Sequence, residues 1–79
     1  MTVTLRAKSS MASVVLDRFG VEGSLVPDGS DHFTGSIPLV LSPQFFGWLF
    51  ALEPDVTLTA PARAVEAYRQ KLRSALEQA

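Results

Sequence analysis

Apolar and polar positions alternate strictly from Thr2 to Lys8, with Val3, Leu5 and Ala7 on one side and Thr2, Thr4, Arg6 and Lys8 on the other. A period of two predicts a half-buried strand. The rhythm then changes: Met11, Val14, Val15, Leu16 and Phe19 recur at helical spacing. Ser9 and Ser10 suit the N-cap of that helix, and Gly20 suits a left-handed stop. Val21 to Pro27 predicts a weaker strand interrupted by Gly23, followed by turn chemistry in Pro27-Asp28-Gly29-Ser30-Asp31. Phe33 to Leu41 returns to period two. Phe33, Gly35, Ile37, Leu39 and Leu41 share one face, and His32, Thr34, Ser36, Pro38 and Val40 the other. Two strands around a short turn predict an antiparallel hairpin. Pro38 has no N–H for a ladder, so a bulge or a one-sided end to the pairing is expected there.

Ser42-Pro43 predicts a helix start, because Ser can cap and Pro at the first helical position forfeits no hydrogen bond. This helix carries Phe45, Phe46, Trp48, Leu49, Phe50 and Leu52 and ends near Glu53-Pro54. Asp55 to Ala60 predicts a strand with Val56, Leu58 and Ala60 inward and Thr57 and Thr59 outward. After Pro61, residues 62–79 are rich in helix formers, with a stripe at Val65, Tyr68, Leu72, Ala75 and Leu76. The whole reads β–α–β–β–α–β–α. It predicts one α+β domain over residues 1–79: a ferredoxin-like (βαββαβ) antiparallel sheet, two helices on one face, and an added C-terminal helix. The opposite sheet face is Thr-rich and open.

Composition narrows the function. At 79 residues and formal charge -1, the chain lacks the basic footprint of a dedicated nucleic-acid module. Apolar residues at 47% exclude a disordered tail. With no cysteine there is no disulfide framework and no thiolate metal site. The N-terminus has no leader pattern, and the most apolar run, Phe45 to Leu52, falls far short of the about 20 residues that cross a bilayer. The expectation is a cytoplasmic protein, or one piece of a larger protein, with no membrane contact.

Candidate chemistry is sparse. His32 is the single histidine, at the start of a strand on the polar face, and one His without Cys makes no zinc site. Asp31 beside it is expected to point the other way along the strand. Arg6, Lys8, His32 and Thr34, joined by Thr2, Thr4, Thr57 and Thr59, form the candidate ligand-binding set for an anionic small molecule or oligonucleotide. An ordinary polar sheet face accounts for the same residues, since Thr is a good strand former.

Stacking rings are absent from that face, which removes RNA recognition of the kind this topology often supports. The turn Ala7-Lys8-Ser9-Ser10 contains no glycine, which removes acylphosphatase chemistry. No nucleophile–base constellation appears, so the chain is expected to be neither an enzyme nor the holder of a cofactor or metal. Phe45, Phe46, Trp48 and Phe50 cannot all point inward from one short helix, so Phe46 or Phe50 should emerge at the surface or under the last helix. Phe46, Phe50, Tyr68, Leu72 and Leu76 are the candidate interface residues. The last helix carries Arg63, Arg69, Lys71 and Arg73 against Glu66 and Glu77, a net +2, while residues 1–61 stand at -3.

The order of these signals resembles the C-terminal extension, called WCX, of bacterial transcriptional regulators that contain a WYL domain. The resemblance is carried by Thr2-Val3-Thr4-Leu5-Arg6 and Val15-Leu16-Asp17-Arg18-Phe19-Gly20. It continues through Asp31-His32-Phe33, Ser42-Pro43-Gln44-Phe45-Phe46-Gly47-Trp48-Leu49 and Asp55-Val56-Thr57-Leu58 with Pro61, and covers essentially the whole chain. It implies an effector-sensing and oligomerisation module, with partners in a second copy or the WYL domain of its parent. DNA would be read only by an N-terminal winged helix-turn-helix absent from this chain. No Trp-Tyr-Leu triplet occurs here, so WYL ligand residues do not transfer.

Overall fold

The computed structural model describes residues 1–20 and 24–78, with the side chain of Ser24 left aside. The elements are β1 (Thr2–Lys8), a 3-10 turn (Ser9–Met11), α1 (Ala12–Phe19), β2 (Ser24–Pro27), β3 (His32–Pro38), α2 (Pro43–Leu52), β4 (Val56–Ala60) and α3 (Ala62–Glu77). They make an α+β fold: one four-stranded sheet in the order β2-β3-β1-β4, every neighbouring pair antiparallel, with three α-helices. The expected interruption at Gly23 lies outside the described residues, and the last helix, expected to run to Ala79, ends at Glu77 with Gln78 as its cap.

Alternation fixes the two faces. Val3, Leu5 and Ala7 of β1, Phe33 and Ile37 of β3, and Val56 and Leu58 of β4 are buried in one layer. Val15 of α1, Phe45 and Leu49 of α2, and Ala64 and Tyr68 of α3 close over them, so all three helices share one side. Phe19 meets Phe45 edge-on at 6.3 Å and Trp48 at 5.1 Å, which locks α1 against α2. Such aromatic pairs add about 0.5–1.5 kcal/mol each beyond the area they bury. The reverse face of the sheet has no helix on it: Arg6, Lys8, Ser36, Thr57 and Thr59 are exposed.

Three local expectations change. Neither serine caps α1: its N-cap is Met11, reached through the 3-10 turn, and no side chain accepts a bond there. The chain tightens instead because Ser9 N–H donates to the Asp31 carbonyl at 2.8 Å, which pulls residue 9 toward the β2–β3 turn. β3 ends at Pro38 rather than Leu41, and the register bulge falls between β1 and β4, at Thr4 and Leu5. Pro38 pairs with Thr2 at the end of the ladder, and Leu39 N–H donates to the Met1 carbonyl at 2.8 Å immediately beyond it. Elsewhere the local chemistry holds. The Ser42 hydroxyl accepts from Phe45 N–H at 3.1 Å with Pro43 next in line, and Gly20 ends α1 at φ 70°. That φ is open to glycine and strained for other residues.

Candidate functional site

The four residues expected to bind a ligand do come together. Arg6 stands opposite Thr34 and Lys8 opposite His32 in the β1–β3 ladder, so all four side chains share one end of the open face. Their electrostatics were not legible from β1 and β3 alone. Arg6 Nε donates to Asp28 Oδ2 at 2.8 Å, and Lys8 Nζ lies 3.2 Å from Asp55 Oδ1. The turn between β2 and β3 supplies the first carboxylate, and the approach to β4 supplies the second. Pairs this exposed contribute about 0–1 kcal/mol, so they are cheap to open. An anion arriving here competes with a carboxylate at each of these two cations.

His32 completes the set, and here Asp31 corrects the expected geometry. It precedes β3 rather than lying within it, and its Oδ1 sits 2.8 Å from His32 Nδ1. A carboxylate only accepts, so Nδ1 carries the proton and Nε2 is the remaining free ring atom. The hydrogen bond from His32, then its charge, holds the Asp31 carboxyl below its ordinary 3.8. A group depressed in the fold contributes stability that is present above its unfolded value and lost as pH falls through the folded one. Carboxyl-detected NMR is expected to place the Asp31 midpoint below 3.8. His32→Ala is expected to move it back up, and an unchanged midpoint would show the pair does not form in solution. His32 also lines a cavity of about 340 Å³ with Ser9, Leu25, Pro27, Ser30 and Phe33.

The expected interface residues form a second region, between α2 and α3, and they divide by depth. Phe46 and Tyr68 pack on each other at 5.4 Å and belong to the chain's own interior, Tyr68 being 6% exposed. Phe50 and Leu76 stand out at 62% and 75% exposed, with Leu72 at 36%. The emergence expected of Phe46 or Phe50 thus takes both forms, one under α3 and one at the surface. The Tyr68 hydroxyl is buried with no hydrogen-bond partner. Burial, and next the charge of Glu53, pushes its phenol above the ordinary 10.0. Glu53, at the C-terminal end of α2, is itself held above 4.5 by desolvation.

The model of the WCX domain family matches residues 1–76. The chain belongs to the WCX domain family. No curated protein and no solved structure matches it. The name agrees with the resemblance carried by the segments from Thr2 through Pro61, and the match takes in most of α3 as well.

Within this WCX domain the sequence reading missed the partners rather than the principals. Asp28 and Asp55 passed as a turn former and a strand start, yet each neutralises a cation of β1. Their signal is topological: Asp28 reaches Arg6 across 22 positions only once β2, β3 and β1 lie side by side. Glu53 passed as a helix end. Its place on one cavity lining with Tyr68 and Arg69 depends on Ala64 and Tyr68 docking that helix on the core. Among the described residues no helix is long and apolar enough to cross a membrane.

Proposed function

We propose that this WCX domain is the non-catalytic, effector-sensing and oligomerisation module of a WYL-type bacterial transcriptional regulator. It works in the cytoplasm, with DNA reading left to a winged helix-turn-helix outside this chain. One observation carries the reading. The apolar stripe of α3 runs off its own core: Tyr68 is buried, Leu72 is 36% exposed and Leu76 is 75% exposed, at successive four-residue steps. Beside it, Phe46, Phe50, Tyr68, Leu72 and Ala75 line an apolar groove of about 220 Å³ between α2 and α3. Apolar stripes of this kind are covered by something when the protein is at work.

The occupant is a second copy of the chain. Residues 62–79 carry +2 and residues 1–61 carry -3, so the helix of one copy complements the body of another. An effector that favours the paired arrangement over the single one shifts the population between them, by as much as its affinities for the two differ. The polar sheet face is the weaker place for a small anion or oligonucleotide, because Arg6, Lys8 and His32 each already face an aspartate.

Sedimentation velocity on the purified chain tests the reading. A concentration-dependent dimer is expected, and Leu72→Asp with Leu76→Asp is expected to weaken it at least tenfold. That is the scale set by placing unpaired charges in an apolar seam. A wild-type chain that stays monomeric at high micromolar concentration overturns the self-association. So does a double variant that dimerises as well as wild type.

A further inference from the structure

The cavity on the β4 side of α3 holds about 370 Å³, the small end of the ~300–1,000 Å³ range of ligand sites. Phe50, Leu58, Val65 and Leu72 give it an apolar wall. Its charged groups are of opposite kinds, Glu53 and Arg69, and Thr57 and Tyr68 complete the polar lining. Arg69, like Arg18, Arg63 and Lys71, has no ion-pair partner among the described residues, whereas Arg6, Lys8 and Arg73 each have one. Tyr68 is the buried member, 6% exposed, and its hydroxyl is the one buried side-chain polar atom without a hydrogen bond among the described residues. Leaving such a group unmet costs about 1–3 kcal/mol. That oxygen is closed to solvent, so recognition in the cavity falls to Glu53 and Arg69.

We propose that this cavity binds a free apolar α-amino acid, its ammonium on Glu53, its carboxylate on Arg69 and its side chain against Phe50, Leu58, Val65 and Leu72. The charges dictate the class. A simple anion meets Glu53, a simple cation meets Arg69, and a neutral hydrocarbon leaves both charges unmet. A small zwitterion with an apolar side chain answers all three. Phe50 and Leu72 also border the proposed seam, so the occupied cavity sits directly beneath the surface a second copy covers. The inference rests on the effector-sensing reading and names the chemistry of that effector.

Isothermal titration of the 79-residue chain with L-leucine and L-phenylalanine tests it, with glycine, isoamylamine and 4-methylpentanoate as truncated probes. Leucine or phenylalanine is expected to bind in the micromolar-to-millimolar range, and each truncated probe at least tenfold more weakly. Glu53→Gln and Arg69→Gln, both at surface positions, are expected to weaken leucine at least tenfold. The pattern across probes is the decisive part: Arg69→Gln leaves isoamylamine unaffected, and Glu53→Gln leaves 4-methylpentanoate unaffected. No binding of either amino acid at millimolar concentration overturns the site. Wild-type affinity in Glu53→Gln or Arg69→Gln overturns it equally. Sedimentation of the same samples reads self-association separately, so a monomer that binds leucine overturns the dimer and leaves the site standing.

Discussion

Phe45→Ala is expected to remove about 3–5 kcal/mol of stability, the usual cost of deleting a buried aromatic ring. A chain of this length has about 4–12 kcal/mol in total, so the loss takes from about a quarter of it to all of it. The position explains the size of the effect. Phe45 is 2% exposed and makes contacts with three other rings: Phe19 at 6.3 Å, Phe46 at 5.8 Å and Trp48 at 6.2 Å. It is the point at which α1 and α2 meet over the sheet. Substitution by Ala leaves a void that neither helix can fill without losing its register on β1 and β3. Urea titration followed by Trp48 fluorescence reads the result. Phe45→Leu, which fills much of the volume, is expected to lose well under half as much. A Phe45→Ala variant within 1 kcal/mol of wild type would mean that the three-helix side is not a common core.

How much of this was legible beforehand follows from which interactions are local. β1 could be read residue by residue, because Val3, Leu5 and Ala7 are buried for a reason visible in seven consecutive letters. The same holds for Ser42-Pro43, whose capping bond spans three positions. β3 was read three residues too long because Leu39 and Leu41 continue the alternation. The pattern records which side chains face the core, and both do pack against it, but it does not record where the ladder stops. Pro38 held that information. The serines before α1 misled for the opposite reason: they are good caps in isolation, and the backbone bond from Ser9 to Asp31, 22 positions away, takes precedence.

The candidate sites show the same division. Arg6, Lys8, His32 and Thr34 were assembled correctly because strand alternation and one hairpin place them. Their neutralisation by Asp28, Asp55 and Asp31 depends on turns and strand order, and it alters the chemistry of the whole patch. A face read as a candidate anion site in fact carries two ion pairs and a histidine–aspartate hydrogen bond. The α2–α3 region gained in the same step. Tyr68 reads in the sequence as one more member of an apolar stripe, and only the docked helix reveals that its hydroxyl has been buried unpaired beside Glu53.

Docking of α3 is therefore the step on which both the seam and the cavity depend, and Ala64→Glu isolates it. Two effects of opposite sign compete. Ala64 lies in the first turn of α3, where a carboxylate favours the helix dipole by about 0.3–1 kcal/mol and Glu is nearly as good a helix former as Ala. Yet Ala64 is 0% exposed, in the core cluster with Val56, Leu58 and Tyr68, and among the described residues no cation is buried there to pair with a new charge. An uncompensated buried charge costs about 3–5 kcal/mol, so burial wins over the dipole by several-fold. The loss has a ceiling, since α3 can undock and leave the sheet, α1 and α2 in place. Hydrogen exchange is expected to show α3 amides unprotected while β1 and β3 remain protected, and leucine binding and dimer formation should disappear together. Ala62→Glu, two residues earlier on the exposed side of the same turn, keeps the dipole term without the burial and is expected to be neutral or up to about 1 kcal/mol more stable. Equal stability of the Ala64 and Ala62 variants would mean that α3 is not held on this chain's own core.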